Sequence, residues 1–354
     1  MNRHVHRTAI IGFGGMGAWH LSTIRDRVPE LRVTGAFDIR PEAAQKAREQ
    51  GLTAYHSAEE LLADNSVELV ILAVPNNFHK DYAIRCLRAG KHVVCEKPVT
   101  MNAAELVAVM DAAKETGRIF TVHQNRRWDR DYAIVRQVLE EGIIGAPYFI
   151  ESRVQGSRGA MFGWRGHKLN GGGMLYDWAV HLLDQLLQLI PSPVTSVTAH
   201  LVTVFSDEVD DNCKLLLRFE NGASALVEVS TNCFINLPRW HISCENGTVA
   251  VEDWECHGGV VQLAEEGGMA WEDDIVYTAA GPTRTMAPRP ANTTKRLPLP
   301  EISSDSAAYY HNVAAAMEGR EALIVTPEQA LRVMRIIDLA FASHEQGTGL
   351  PCRI

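Results

Sequence analysis

Residues 8–17 read TAIIGFGGMG. A short apolar run enters Gly12-x-Gly14-x-x-Gly17, and a helix-like segment, Gly17–Val28, leaves it. Glycines at this spacing, between a strand and a helix, make a phosphate-binding turn. The first allows the tight turn, the second lets backbone approach a pyrophosphate, and the third lets helix and strand pack closely. The free N–H groups of the helix start then hold the phosphates. Asp38 ends the next apolar run, 26 positions after Gly12. A carboxylate there takes both ribose hydroxyls of NAD and repels a 2′-phosphate. Arg40 lies two residues on, which leaves NADP possible.

Working outward, short apolar runs alternate with helical patterns. Strands are expected at 8–12, 33–38, 69–73, 92–95 and 119–122, with helices at 17–28, 41–49, 58–63, 79–89 and 102–116. Continuous apolar strands alternating with helices imply a parallel sheet covered on both faces. The pattern changes near residue 125. A helix (132–141), a strand (148–154) and a loop with seven glycines (156–173) lead to a long apolar helix, 174–190. Strands then run from 194 to 251, with hairpin signals at Glu220-Asn221-Gly222 and Glu245-Asn246-Gly247. Residues 279–300 carry five prolines and read as a long loop, and two helices, 304–317 and 327–342, close the chain. The fold class is therefore α/β. A doubly wound Rossmann domain, 1–124, precedes an α+β domain, 125–354, with a large, mainly antiparallel open sheet.

The chain has 354 residues, 46% hydrophobic and 22% charged, with a net charge of −9. That is the composition of a water-soluble globular protein with no general affinity for nucleic acid or an anionic membrane. No apolar run is long enough for a signal peptide or a membrane helix. Seven scattered cysteines read as reduced thiols, so a cytoplasmic location is expected. Cys256-His257 is an isolated pair, and no metal site is expected.

Residues 92–100, HVVCEKPVT, put a lysine at the end of a buried-looking strand. Pro98 stops the ladder, which aims Lys97 into the crevice at the strand ends. The bland alternative is a solvated lysine. Residues 73–79, AVPNNFH, end the preceding strand at the same edge, where Asn76 or His79 either meets a ligand or merely starts a helix. In the long helix, Asp177, His181, Asp184, Gln185 and Gln188 form one polar stripe. That stripe either faces water or carries a site.

The chain resembles the glucose–fructose oxidoreductase / inositol dehydrogenase (Gfo/Idh/MocA) family over nearly its whole length. The resemblance rests on Gly12–Gly17, Glu96-Lys97-Pro98, Gly171-Gly172-Gly173 followed by Asp177 and His181, and the closing VTPEQALRVM at 325–334. It implies a catalytic group of Lys97, Asp177 and His181, and a second sheet that packs on a partner's in a homodimer or homotetramer. Expected cofactor contacts are Gly12, Phe13, Gly14, Gly15, Met16, Gly17, Asp38, Ile39, Arg40, Pro75, Asn76, His79, Glu96, Lys97 and Asn125. By resemblance Trp164 and Arg165 cover the nicotinamide end. Expected substrate contacts are Lys97, Arg127, Trp128, Asp129, Arg153, Gln155, Asp177 and His181. HQNRRWDRD, 123–131, looks like the inositol-dehydrogenase side of the family.

The implied reaction is hydride transfer between a ring secondary alcohol of a sugar, glycoside or cyclitol and NAD. His181 starts near the pKa a base needs, and Lys97 can steady a developing alkoxide or relay the proton. Glu96 braces Lys97. Other readings are a tightly bound cofactor recycled between two sugars, an NAD-dependent glycosidase, and a non-catalytic sugar sensor. Arginines at 126, 127, 153, 158 and 165 leave room for an acidic or phosphorylated sugar.

Overall fold

The structure is a computed structural model and describes residues 4–158, 163–264, 275–284 and 291–354. Strands β1 (His6–Ile11), β2 (Leu31–Phe37), β3 (Thr53–Ala54), β4 (Leu69–Leu72), β5 (His92–Cys95) and β6 (Phe120–Val122) form one sheet in the order β3-β2-β1-β4-β5-β6. Every pairing in it is parallel. This is the doubly wound order of a Rossmann domain. Helices α1 (Gly15–Arg27), α2 (Pro41–Glu49), α3 (Ala58–Ala63), α4 (His79–Arg88) and α5 (Ala103–Thr116) connect the strands. The crossovers cover both faces of the sheet, so β4 and the Val93–Cys95 run of β5 are wholly buried. Their sequences are apolar without alternation for that reason.

Among the described residues the second sheet has nine strands. These are β7 (Pro147–Gln155), β8 (Val194–Val202), β9 (Asn212–Phe219), β10 (Ser224–Ser230), β11 (Trp240–Cys244), β12 (Gly247–Val251), β13 (Gly258–Leu263), β16 (Thr294–Leu297) and β17 (Leu350–Pro351). Among the described residues two further strands, β14 (Ile275–Thr278) and β15 (Gly281–Arg284), pair only with each other. The order is β16-β13-β12-β11-β7-β10-β9-β8-β17. All its neighbours are antiparallel except β7 and β10, which run parallel. Hairpins form at both expected turns.

Helices α6 (Arg130–Glu140), α7 (Val180–Leu189) and α9 (Pro327–Gln346) lie on one face of this sheet, and α8 (Ala308–Met317) packs beside the first sheet. In β9, Cys213, Leu215 and Leu217 are buried under the helices, whereas Lys214, Leu216 and Arg218 point to the open face. That period of two is the mark of a sheet with one covered face. Thr121 of β6 donates to the Val325 carbonyl at 2.8 Å, which ties the approach to α9 to the parallel sheet.

Two expectations change. Residues 279–300 are not all loop: β15 and β16 lie within them, and 285–290 fall outside the described residues. β16 is an edge strand that packs through few side chains, so Lys295-Arg296 gives it no apolar alternation. The expected helix 174–190 is also not uniform. Leu175–Ala179 is a π-helical turn, and α7 begins only at Val180.

Candidate active site

The carboxyl ends of the parallel strands open into a cavity of about 810 Å³. One end is the glycine turn. Gly12 has φ +93°, and a Cβ there would lie 2.3 Å from the Ala73 carbonyl oxygen. A Cβ on Gly17 would lie 2.3 Å from the Gly12 carbonyl oxygen. Neither position admits a side chain. Gly14 caps α1 without any side-chain hydrogen bond, and no acidic residue stands in the first turn. The free N–H groups there suit a phosphate.

Asp38 lies across the turn. Its carboxylate accepts from the Phe13 N–H at 2.8 Å and from the Arg40 N–H and Nε at 2.9 and 3.1 Å. Burial alone would raise this carboxyl, but the hydrogen bonds from Arg40 and Phe13 hold it below the ordinary range. An ionised, fixed carboxylate beside a glycine cradle fits a dinucleotide's ribose and pyrophosphate.

The other end of the cavity gathers Lys97, Asp177 and His181, with Asn125, Arg126, Trp164, Arg165 and Trp178. Lys97 follows β5, and its peptide bond to Pro98 is cis. Its Nζ donates to Asp177 Oδ1 at 2.9 Å and to the Asp177 carbonyl at 2.6 Å. Arg165 Nε stands 3.4 Å from the same carboxylate. Burial would push Asp177 up, but Lys97 and Arg165 outweigh it and keep the carboxylate ionised. His181 is 4% exposed. Its Nδ1 lies 3.0 Å from Gln124 Oε1, so the N–H sits on Nδ1 and Nε2 carries the lone pair. Burial first, then the charges of Lys97 and Arg126, push its pKa well below the usual value. The imidazole is neutral at pH 7.

Directly behind Lys97, Glu96 is the centre of a closed network. Its Oε1 accepts from His20 Nε2 at 2.9 Å and His123 Nδ1 at 2.8 Å, and its Oε2 accepts from the Lys97 N–H at 3.2 Å. Tyr310 Oη closes the ring, 2.5 Å from His20 Nδ1 and 3.3 Å from His123 Nε2. Burial opposes the Glu96 charge, yet the two histidines hold its pKa well below normal.

The polar stripe does not face water. Asp184 and Gln185 are buried like His181, paired with Arg127 and with the Arg126 carbonyl, while Asp177 and Gln188 are half-buried. The cavity is lined by Gly12, Gly14, Gly15, Met16, Asp38, Ile39, Arg40, Pro75, Asn76, Glu96, Lys97, Asn125, Trp164, Arg165, Asp177 and His181 of the expected residues. Phe13 and Gly17 belong to the turn but lie beneath its surface.

Other expected residues are placed elsewhere. His79 is buried outside the cavity lining, with its ring nitrogens 2.8 and 2.9 Å from the carbonyls of Pro98 and Val74. Arg127 is consumed by a bidentate pair with Asp184 at 2.7 and 2.6 Å and by bonds to Ile324 and Gln329. Trp128 packs edge-on against Tyr309. Arg153 lies on the open face of the second sheet, paired with Glu151 and Glu228. Gln155 accepts from the Leu237 N–H at 2.8 Å at the end of β7. Asp129 is outside the cavity wall but holds Arg126 Nη1 at 2.8 Å.

Three contributors had no signal in the sequence. Trp178 and Trp254 face the Arg126 guanidinium, whose carbon lies 4.6 and 5.5 Å from their ring centres. Asp210 accepts from the Leu175 N–H at 2.8 Å and braces the start of the π-helical turn; burial lifts its pKa to about 6. Each comes from a segment remote in sequence from what it touches.

Comparison with known proteins follows the same outline. Residues 6–124 match the oxidoreductase family with NAD-binding Rossmann fold, and residues 132–250 match the GFO/IDH/MocA C-terminal domain. An NAD-binding protein from Listeria innocua is 40% identical, with a TM-score of 0.93, covering 99% of this chain and 100% of its own. The scyllo-inositol 2-dehydrogenase (NADP(+)) of Bacillus subtilis is 27% identical over 96% of this chain and 94% of its own. The scyllo-inositol 2-dehydrogenase (NAD(+)) of the same organism is 31% identical over 64% and 68%. Among the described residues no helix is long and apolar enough to cross a membrane.

Proposed function

This chain belongs to the Gfo/Idh/MocA family of NAD-binding oxidoreductases, and we propose that it oxidises a ring secondary alcohol of a cyclitol or sugar with NAD. The observation that carries the reading is the single cavity running from the glycine turn to Lys97, Asp177 and His181. Gly12 to Gly17 and the start of α1 would hold the pyrophosphate, and Asp38 the adenosine ribose. The bound dinucleotide supplies the hydride acceptor.

The residues of the chain manage the proton. An alcohol does not lose its proton unaided at pH 7. Lys97 Nζ donates to the reacting oxygen and stabilises the charge that develops on it. Asp177, ionised beside Lys97, holds the ammonium in place. Neutral His181 offers Nε2 as the acceptor. So weakly basic an imidazole takes the proton only after Lys97 has made the alcohol more acidic, which gives Lys97 the earlier role. Trp178 and Arg126, with Trp254 behind the guanidinium, support a ring substrate by stacking and hydrogen bonding. Asp38 favours NAD over NADP by charge.

The test is a screen for reduced nicotinamide over inositols, hexoses, glycosides and sugar phosphates, each with NAD and with NADP. Saturable NAD reduction by a cyclitol or sugar that disappears in Lys97→Ala supports the reading. Release of an aglycone without net reduced cofactor replaces it with the glycosidase reading.

The same proposal places a second copy of the chain on the open face of the nine-stranded sheet. Leu216 and Leu226 pair in register there, amid Lys214, Arg218 and Glu228. Light scattering that returns a monomer's mass removes this part.

A further inference from the structure

We propose that His4, His6 and Glu68 form a binding site for a divalent transition metal, with Glu318 as its outer carboxylate. The site lies where β1 and β4 begin, at the opposite edge of the parallel sheet from the cofactor cavity. It is independent of the dehydrogenase reading.

The argument starts from geometry. His4 and His6 are two residues apart on the approach to β1. Glu68 immediately precedes β4, and pairing of β1 with β4 brings it alongside. His4 Nε2 lies 3.0 Å from both Glu68 oxygens, and His6 Nδ1 lies 2.9 Å from Oε2. The two imidazoles stand 4.6 Å apart at 83°. One atom from each residue can be chosen so that all lie within 4.8 Å of one another. Two imidazoles and a carboxylate suit Zn²⁺ or a neighbouring first-row ion, and leave a fourth position for water.

The second observation is the far side of His6. This residue is 5% exposed. Its Nε2 lies 3.4 Å from Glu318 Oε1, and both atoms are buried without a hydrogen bond. The other Glu318 oxygen is held by Arg320. A neutral His6 that gives its Nδ1 proton to Glu68 turns a lone pair toward a carboxylate. Two buried acceptors then face each other. A metal ion at Nδ1 takes the place of that proton, moves the N–H to Nε2 and gives Glu318 a donor. Carboxylate–histidine–metal is the usual arrangement around a ligating imidazole.

The contrast with the trio at His20, Glu96 and His123 is instructive. There every ring nitrogen lies within hydrogen-bond reach of Glu96 or Tyr310, although the single Tyr310 O–H serves only one of the two nitrogens that face it. The competing explanation at the sheet edge is an imidazolium at His6 that bridges Glu68 and Glu318 with no metal.

The test uses the untagged full chain, stripped with chelator and titrated calorimetrically with Zn²⁺. The expected result is one ion per chain with a Kd at or below about 10 μM. Co²⁺ should give the visible absorption of a four-coordinate site. His4 is exposed, so His4→Ala should leave the fold intact and weaken Zn²⁺ by at least about tenfold, while Glu318→Ala should weaken it by about tenfold through the outer contact. Absence of saturable uptake, or uptake unchanged in His4→Ala, overturns the proposal and leaves His6 as a bridging imidazolium.

Discussion

Two clusters of ionisable side chains meet at the Glu96–Lys97 peptide. Behind it, Glu96, His20, His123 and Tyr310 form a buried ring in which each ring nitrogen lies within hydrogen-bond reach of Glu96 or Tyr310. In front, Lys97 is held by Asp177, and His181 is fixed through Nδ1 alone. The two clusters share residue types and differ in closure. A buried network closed on itself resists change. A network with an unspent lone pair beside a cavity is prepared for a ligand's proton. The difference teaches why the proposal makes the rear cluster a brace and the front one the tool.

The largest expected effect tests that division directly. Lys97→Ala and His181→Ala should each lower kcat by about 10²–10⁴, with little change in Tm or in NAD binding measured by fluorescence. If either keeps near-normal turnover, the front cluster is misassigned. Glu96→Ala should reverse the pattern. It strands the N–H donors of His20 and His123, each unpaired buried donor costing about 1–3 kcal/mol. Denaturant melting should show that loss, with a smaller fall in kcat. An unchanged midpoint with abolished turnover would make Glu96 part of the tool.

Asp38→Ala sharpens the other end of the cavity. Losing a charged hydrogen bond of about 1.5–3 kcal/mol should weaken NAD by about tenfold or more. It also frees Arg40 for a 2′-phosphate, so the NADP affinity should hold or rise. Equal losses for both cofactors would remove Asp38 from the choice.

The smallest effect is on pH. Burial lowers His20, His79 and His181 below the usual value and His92 to about 4. Below about pH 6.5 the unfolded chain binds protons at these sites that the native chain refuses. Stability should therefore fall as pH drops from about 6.5 toward 4.5. Asp210 opposes this, because its carboxyl, raised to about 6, takes up a proton in the native state first. Asp129 and Asp338, also raised by burial, act in the same sense as Asp210, and four histidines against three aspartates leave a net loss, readable as a falling Tm. A flat profile would mean the histidines are charged in the fold. In that case the neutral His181 on which the proton step depends is lost as well.

Much of this was legible in particular residues. The Gly12-x-Gly14-x-x-Gly17 turn requires glycine on steric grounds alone. Val93-Val94-Cys95 could lie only inside a covered sheet, and the alternation in β9 announced an open one. Lys97 stood out as a lysine at a strand's end, and Asp177 and His181 as members of one polar stripe, but only the family resemblance grouped the three as catalytic. Arg126 and Arg127 show where legibility stops. They are adjacent and identical, yet one lines the cavity and the other is locked to Asp184, 57 positions away. Arg153 lies on the open face, outside the cavity lining, because the parallel register of β7 with β10 decides its side, and no local signal carries that register.

The sequence by itself determined the alternation of strand and helix, the phosphate turn, and which residue types could serve chemistry. Those follow from sterics and periodicity within a few residues. Only the tertiary structure decided which polar groups find partners. Partnership depends on chains arriving from far away, and in a buried site an unpartnered group and a satisfied one differ in what they can do. Lys97, His181 and His6 take their meaning from Asp177, Gln124 and Glu318.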